Sequence, residues 1–385
     1  MERQKLINLI SYILAGVLFL ISIIIICVDA KKTASMPENE LKNDTSIEEV
    51  KQKNEENMET IDEYFPSSLL APFVDMVAWV NNSKYSNNGA PDLGRISDET
   101  GCKYFNLGFI RADSTKPTES DGTIRWGWGG YYDLSEKGND GYQYEGIKQA
   151  IEDVRNRGGD VIVSFGGQLG NSPWTDSQNV DKLVQMYLEV IDAYDLKRID
   201  LDIEESNQGY DNNFANAKAI RKVQEKTGVE VSLTIPIMPY GWDAKQLNLI
   251  RAYIGAGVEL KMINSMTMCY GYSAVGANES FGDASIRALQ NANYQLVQLF
   301  EEFGIEMSSE WAYRLMGATV DIGYENSQNP IFTVQETKQV AEFCKQNGMG
   351  MYSYWSENRD ALLEKNSAIS SIYAYFTAAT YYLDK

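Results

Sequence analysis

Histidine is absent from the 385 residues, which removes the Ser-His and Cys-His nucleophilic arrangements and the usual zinc ligand sets. Any proton transfer therefore falls to carboxylates, tyrosine or lysine. Cysteine is scarce: Cys27, Cys102, Cys269 and Cys344 show no metal-ligand spacing. Cys27 lies in an apolar run, which leaves three others, and a disulfide between two of those three stays open. Positive charge is in short supply, with 34 Lys and Arg against 54 Asp and Glu. That balance argues against nucleic acid as a partner and leaves a neutral polymer unopposed. No glycine-rich phosphate loop follows the first strand-like run, which counts against an open dinucleotide-binding sheet.

What is present is ample apolar material, 44% of the residues, enough for one large core. Seven Trp and 24 Tyr suit flat, uncharged ligands such as sugar rings, although most aromatics in any protein fill core. Arg3 and Lys5 precede an apolar run from Ile7 to Val28, and Lys31 and Lys32 follow it. Its length suits a transmembrane signal anchor, and Val28-Asp29-Ala30 suits a cleavable signal peptide, so residues 1–30 are read as one or the other. Either places the rest outside the cytoplasm, on the cell surface or secreted. Residues 31–63 are polar and poor in aromatics, a stalk unable to fold alone.

From residue 64 to 385, eight apolar runs alternate with helical patterns. The runs are Phe73 to Val80, Tyr104 to Ile110, Val161 to Phe165, Ile199 to Ile203, Val229 to Ile235, Met262 to Met268, Leu315 to Val320 and Gly350 to Tyr354. Helices are expected between them, the last from Ser367 to Tyr382. This alternation predicts an α/β chain folded as a (β/α)8 TIM barrel, whose reacting groups sit at the carboxyl ends of the strands. The longest loop, Ala112 to Tyr142, holds Trp126-Gly127-Trp128-Gly129-Gly130-Tyr131-Tyr132, either a sugar-stacking wall or a self-packed loop.

The fourth run carries the chemistry. Asp200, Asp202 and Glu204 fall at two-residue intervals, so a strand turns all three to one face and Ile199, Leu201 and Ile203 to the other. On a surface sheet those acids would lie in water. In a parallel strand covered on both faces, clustered carboxylates must share protons, bind a metal or react. Spacing along a single strand suits proton sharing better than calcium or magnesium binding, and no metal or cofactor is expected.

In these residues the chain resembles glycoside hydrolase family 18, the chitinase family, and its bacterial and archaeal branch. The signature D-G-x-D-x-D-x-E is matched from Ile199 to Glu204, with Lys197-Arg198 in place of the opening Asp-Gly. Ser164-Phe165-Gly166-Gly167 matches S-x-G-G on the third strand, and Pro236-Ile237-Met238-Pro239 matches the end of the fifth. Met266-Thr267-Met268-Cys269-Tyr270-Gly271 resembles M-x-M-D-Y-G, and Trp355-Ser356-Glu357-Asn358-Arg359-Asp360 resembles W-S-x-x-R-D. The resemblance spans Pro72 to Asp360. It implies Glu204 as general acid, Asp202 as holder of the substrate's 2-acetamido group, Asp200 as its proton partner, and Tyr270 as a hydrogen-bonding group. It also implies Trp355 as an apolar floor, with Ser164, Met268, Met238, Trp79 and Asn326 as further substrate contacts. Cys269 stands where the branch has aspartate. After the seventh strand the chain reads Gly323-Tyr324-Glu325-Asn326-Ser327 where the branch has G-x-N-D, and Asn326 or Glu325 is read as the stand-in for the aspartate of that loop. The implied partner is an N-acetylglucosamine-containing oligo- or polysaccharide, cleaved by a monomer next to N-acetylglucosamine with retained configuration. Endo-β-N-acetylglucosaminidase action on N-glycans or peptidoglycan fragments is one alternative; a non-catalytic lectin is another.

Overall fold

A computed structural model describes residues 64–138, 141–324, 331–363 and 367–383. The expected anchor or signal segment, the stalk, Glu325 and Asn326 lie outside the described residues. Among the described residues, no helix is long and apolar enough to cross a membrane.

Eight parallel strands close into a ring. The first, β1, is in two pieces, Leu69–Leu70 and Phe73–Asp75. It is followed by β2 (Tyr104–Ala112), β3 (Asp160–Gly166), β4 (Arg198–Asp202), β5 (Glu230–Pro236), β6 (Leu260–Met266), β7 (Met316–Asp321) and β8 (Met351–Trp355). Each pairs with the next, and Phe73 opposite Trp355 completes the circle. This is the (β/α)8 barrel that the alternation predicts.

Local chemistry explains where the elements begin and end. Asp75 turns its carboxylate back onto the Val77 N–H at 3.0 Å, which ends β1 there instead of carrying it to Val80 as the apolar run suggests. Ser280 with Asp283 and Thr333 with Glu336 form capping boxes for the helices Phe281–Glu302 and Val334–Gln346. The last helix is far shorter than Ser367 to Tyr382. Ala368 and Tyr373 have positive φ, so α-helix runs only over Ala374–Ala379, with one 3-10 turn after it.

Ile199, Leu201 and Ile203 are wholly buried, on the face of β4 opposite the acids. Within the ring the fill is polar above and apolar below, where Phe65, Leu69, Ile162, Met262 and Met351 cluster. The departure at the start of the β4 motif has a structural reason. Arg198 is buried against Glu230 at the start of β5, with 2.7 Å between Nη2 and Oε2, and lies over the Phe65 ring. Cys102, Cys269 and Cys344 are all free thiols, so the disulfide left open by the sequence is not formed among them.

Candidate active site

All five residues of β4 are buried, Asp200 with 1% and Asp202 with 4% of its surface exposed. An acid face in water is therefore excluded. Asp200 is held on both sides. Ser164 of β3 donates to its Oδ2 at 2.6 Å, and Ser232 and Thr234 of β5 donate to its Oδ1 at 2.7 and 2.8 Å. The alignment of Ser164, Asp200 and Ser232 across three neighbouring strands makes this possible. Burial raises the Asp200 carboxyl above its ordinary range, and the three hydroxyls oppose that rise. Thr234 in turn receives a bond from Asn264, which also bonds Thr319, so a polar layer crosses the barrel from β3 to β7.

Asp202 and Glu204 are hydrogen-bonded to each other. Burial pushes Asp202 well up, and the charges of Glu204 and Asp200 add to it, while Arg111 pulls it down. Glu204 is also raised by burial, against the pull of Asp202 and Arg111. Two such groups titrate together, and the pair holds its first proton more tightly than an isolated carboxylate would. Glu204 is half-buried just past the end of β4, where Glu205 has φ of 43° and the chain turns into a 3-10 helix. Oδ1 of Asp202 is buried without a fixed donor.

These acids open on a cavity of about 340 Å³, within the size range of small-molecule sites. Its floor is aromatic: Trp355 stacks on Phe109 with ring centres 5.6 Å apart, and Phe73 stacks on Phe109 and is tilted against Trp355. Close approach of β3 and β4 depends on glycine. Gly166 has φ of 106°, and a Cβ there would lie 2.1 Å from the Asp202 carbonyl.

The expected residues separate into three groups. Asp202, Glu204, Met268 and Trp355 line the cavity. Asp200 and Ser164 sit beneath it, wholly or nearly buried, so Ser164 serves Asp200 and does not reach substrate directly. Three others do not line the cavity. Tyr270 is 5% exposed, Met238 is half-buried in a tight turn closed by Gly241, and Trp79 is turned to solvent with its Nε1 on Asn81. The tryptophan-glycine loop is mostly self-packed: Trp126–Trp128 pairs antiparallel to β2, and Trp126 and Trp128 are buried. Only Gly129 and Tyr131 of that motif reach the cavity.

Asp75, Arg111 and Asp321 also line the cavity, as does Arg359. Arg359 forms a tight ion pair with Asp321 and donates to the Ile322 carbonyl at 3.0 Å. Cys269, with φ of 57°, exposes its thiol at the cavity wall, 3.8 Å from Oδ2 of Asp321. Asp75, Arg111 and Asp321 each fall at the carboxyl end of a strand, as Glu204 does. Their signal in the sequence is a single charged residue closing an apolar run.

No family model matches the chain. It is 29% identical over 311 residues to a probable bifunctional chitinase/lysozyme of Escherichia coli, covering 77% of this chain and 31% of that protein. It is 28% identical over 308 residues to endochitinase 11 of Metarhizium anisopliae, covering 77% of this chain and 53% of that one. The chain thus spans about a third and about half of the lengths of these relatives. Its fold is similar to active domain 2 of a thermostable chitinase from Pyrococcus furiosus, solved as catalytic-site mutants with chito-oligosaccharides. There the TM-score is 0.66 at 24% identity, over 85% of this chain and 97% of that one. The fold is thus that of the (β/α)8 proteins. Over 77% of its length the chain is similar to proteins described as chitinases.

Proposed function

We propose that the protein hydrolyses β-1,4 bonds next to N-acetylglucosamine in chitin oligosaccharides or chitin, with retention and with the substrate's acetamido group as nucleophile. The observation that carries this reading is the hydrogen-bonded pair Asp202 and Glu204, backed by Asp200, at the open end of the barrel over the Trp355 floor.

The chemistry follows from where the carboxyls are. A retaining glycosidase of the usual kind sets two carboxyls on opposite sides of the bond, one of them a nucleophile. Here Asp202 and Glu204 lie within one hydrogen bond of each other, on one side. Of the other acids at the cavity, Asp75 is turned onto the Val77 N–H and Asp321 is tied to Arg359. The nucleophile then comes from the sugar. Its acetamido oxygen bonds to the anomeric carbon as the glycosidic bond breaks, and Glu204 gives its proton to the departing oxygen. Asp202, left anionic, holds the acetamido N–H and offsets the positive charge of the cyclised ring. Water then opens that ring, losing its proton to Glu204, which restores the starting state.

Incubating the full chain with chitin oligosaccharides and reading the newly formed anomer by proton NMR tests this. The β-anomer is expected first, and a thiazoline mimic of the cyclised intermediate is expected to inhibit. Initial release of the α-anomer would remove the acetamido route. A peptidoglycan arm belongs in the same assay, because the Escherichia coli relative is described as a chitinase/lysozyme. An N-glycan arm tests the endo-β-N-acetylglucosaminidase alternative. Binding of these sugars without turnover would favour a lectin. The reading includes a monomer acting outside the cytoplasm, supported by the apolar run after Arg3 and Lys5. A membrane-fraction blot of the intact cell distinguishes an anchor from a cleaved signal.

A further inference from the structure

The cavity holds more acid than its cations neutralise. Asp75, Asp202, Glu204 and Asp321 line it with Asp200 just beneath, whereas the cations lining it among the described residues are Arg111 and Arg359. Arg359 is committed to Asp321. Arg111 is left facing Asp75, Asp202 and Glu204, with the Tyr131 phenol also near it and Glu205 flanking Glu204. Its position is fixed by backbone and not by a carboxylate. Nε donates to the Gly166 carbonyl at 2.7 Å, and the guanidinium lies 5.4 Å from the centre of the Phe109 ring. Gly167 leaves the room: a Cβ there would come within 2.9 Å of Nη2 of Arg111.

We propose that Arg111 is a positioning residue for the acid pair. Fastened to the end of β3, it is the cation that keeps one negative charge on Asp202 and Glu204, so that once Glu204 takes up the pair's single proton Asp202 meets the substrate as an anion. This rests on the hydrolase reading for its purpose but not for its physics. Without that cation, burial and mutual repulsion favour a second proton on the pair, and an uncharged Asp202 offers nothing to a developing positive charge.

The experiment uses the full chain as wild type, Arg111→Met, Arg111→Gln and Arg111→Lys. The carboxyl stretch is followed by infrared difference spectroscopy across pH, with Glu204→Gln and Asp202→Asn assigning the bands. Removing the charge is expected to raise the midpoints of the pair by about one pH unit. Lysine, which keeps the charge, is expected to leave them near wild type. The acid limb of kcat/KM on chitin oligosaccharides should move by the same amount as the midpoints. Arg111→Gln retains a donor for the Gly166 carbonyl, so it answers the question if Arg111→Met does not fold. Superimposed midpoints in wild type and the charge-removing variants would overturn the proposal, whether or not the protein turns over sugar. Shifted midpoints in a protein that cleaves no oligosaccharide would sustain Arg111's part and defeat the hydrolase reading instead.

Discussion

Two groups of buried carboxyls sit across the barrel from each other and have opposite fates. Asp200, Asp202 and Glu204 end β4 beneath an open cavity. Glu357 and Asp360 follow β8, are both fully buried and do not line that cavity. Burial and the Asp360 charge push the Glu357 carboxyl well up, and it is tightly hydrogen-bonded to the Tyr354 hydroxyl. Asp360 is pushed up to about 6, against the pull of backbone N–H groups. Its oxygens accept from the Tyr375 and Phe376 N–H groups at 3.2 and 2.7 Å, which tie the start of the last helix to the end of β8. Perturbed carboxyls are thus common to both places, and what separates them is access. At β4 the raised carboxyls border an open cavity; at β8 they are enclosed by protein.

The largest expected effect lies on the β4 side. Glu204→Gln should lower kcat by roughly 10²- to 10⁴-fold, the usual worth of a general acid, while thermal unfolding stays close to wild type. Equal turnover in the mutant would erase the difference between the two clusters. Next comes the β8 side in mirror image. Asp360→Ala should cost about 3 kcal/mol in denaturant unfolding, because two buried backbone N–H groups lose their acceptor, with turnover per folded molecule unchanged. A pH series sharpens this further. The folded pKa of Asp360 lies above its ordinary 3.8, so the folded state binds the proton more tightly than the unfolded one. Its contribution is therefore full below pH 3.8 and is lost as pH rises through about 6. The stability of wild type minus that of Asp360→Asn should fall by up to about 3 kcal/mol from pH 4 to pH 7, since acids common to both proteins cancel. A flat difference curve would show that Asp360 does not titrate there. The smallest effect is expected at Cys269→Ala. The thiol meets Asp321 at 3.8 Å, a weak contact, so kcat/KM should change by less than about threefold. A larger loss would give the thiol a part of its own.

The β4 stretch is legible in the sequence because three acids at strand spacing inside an apolar run are costly to bury unless they share protons, hold an ion or react. Strand parity alone puts Asp200, Asp202 and Glu204 on one face, and the structure keeps them there. Parity does not say how deep each residue of a strand sits. Ser164, on a neighbouring strand, therefore reads as a substrate contact from its motif, whereas it lies under Asp200. Arg111 and Asp321 are illegible for a different reason. A lone charge closing an apolar run looks like any strand leaving the core, and only ring closure brings such ends together. The last helix departs from its pattern through backbone conformation: positive φ at Ala368 and Tyr373 leaves no composition signal when the residue is not glycine.

The stacked floor has a practical consequence. Trp128, Trp174 and Trp242 are enclosed in the core, Trp126 nearly so, and Trp79 and Trp311 are exposed and do not line the cavity. Of the seven indoles, only that of Trp355 borders the space a sugar would enter. Filling the cavity is therefore expected to change the protein's tryptophan emission through Trp355, and such a titration needs neither a label nor turnover.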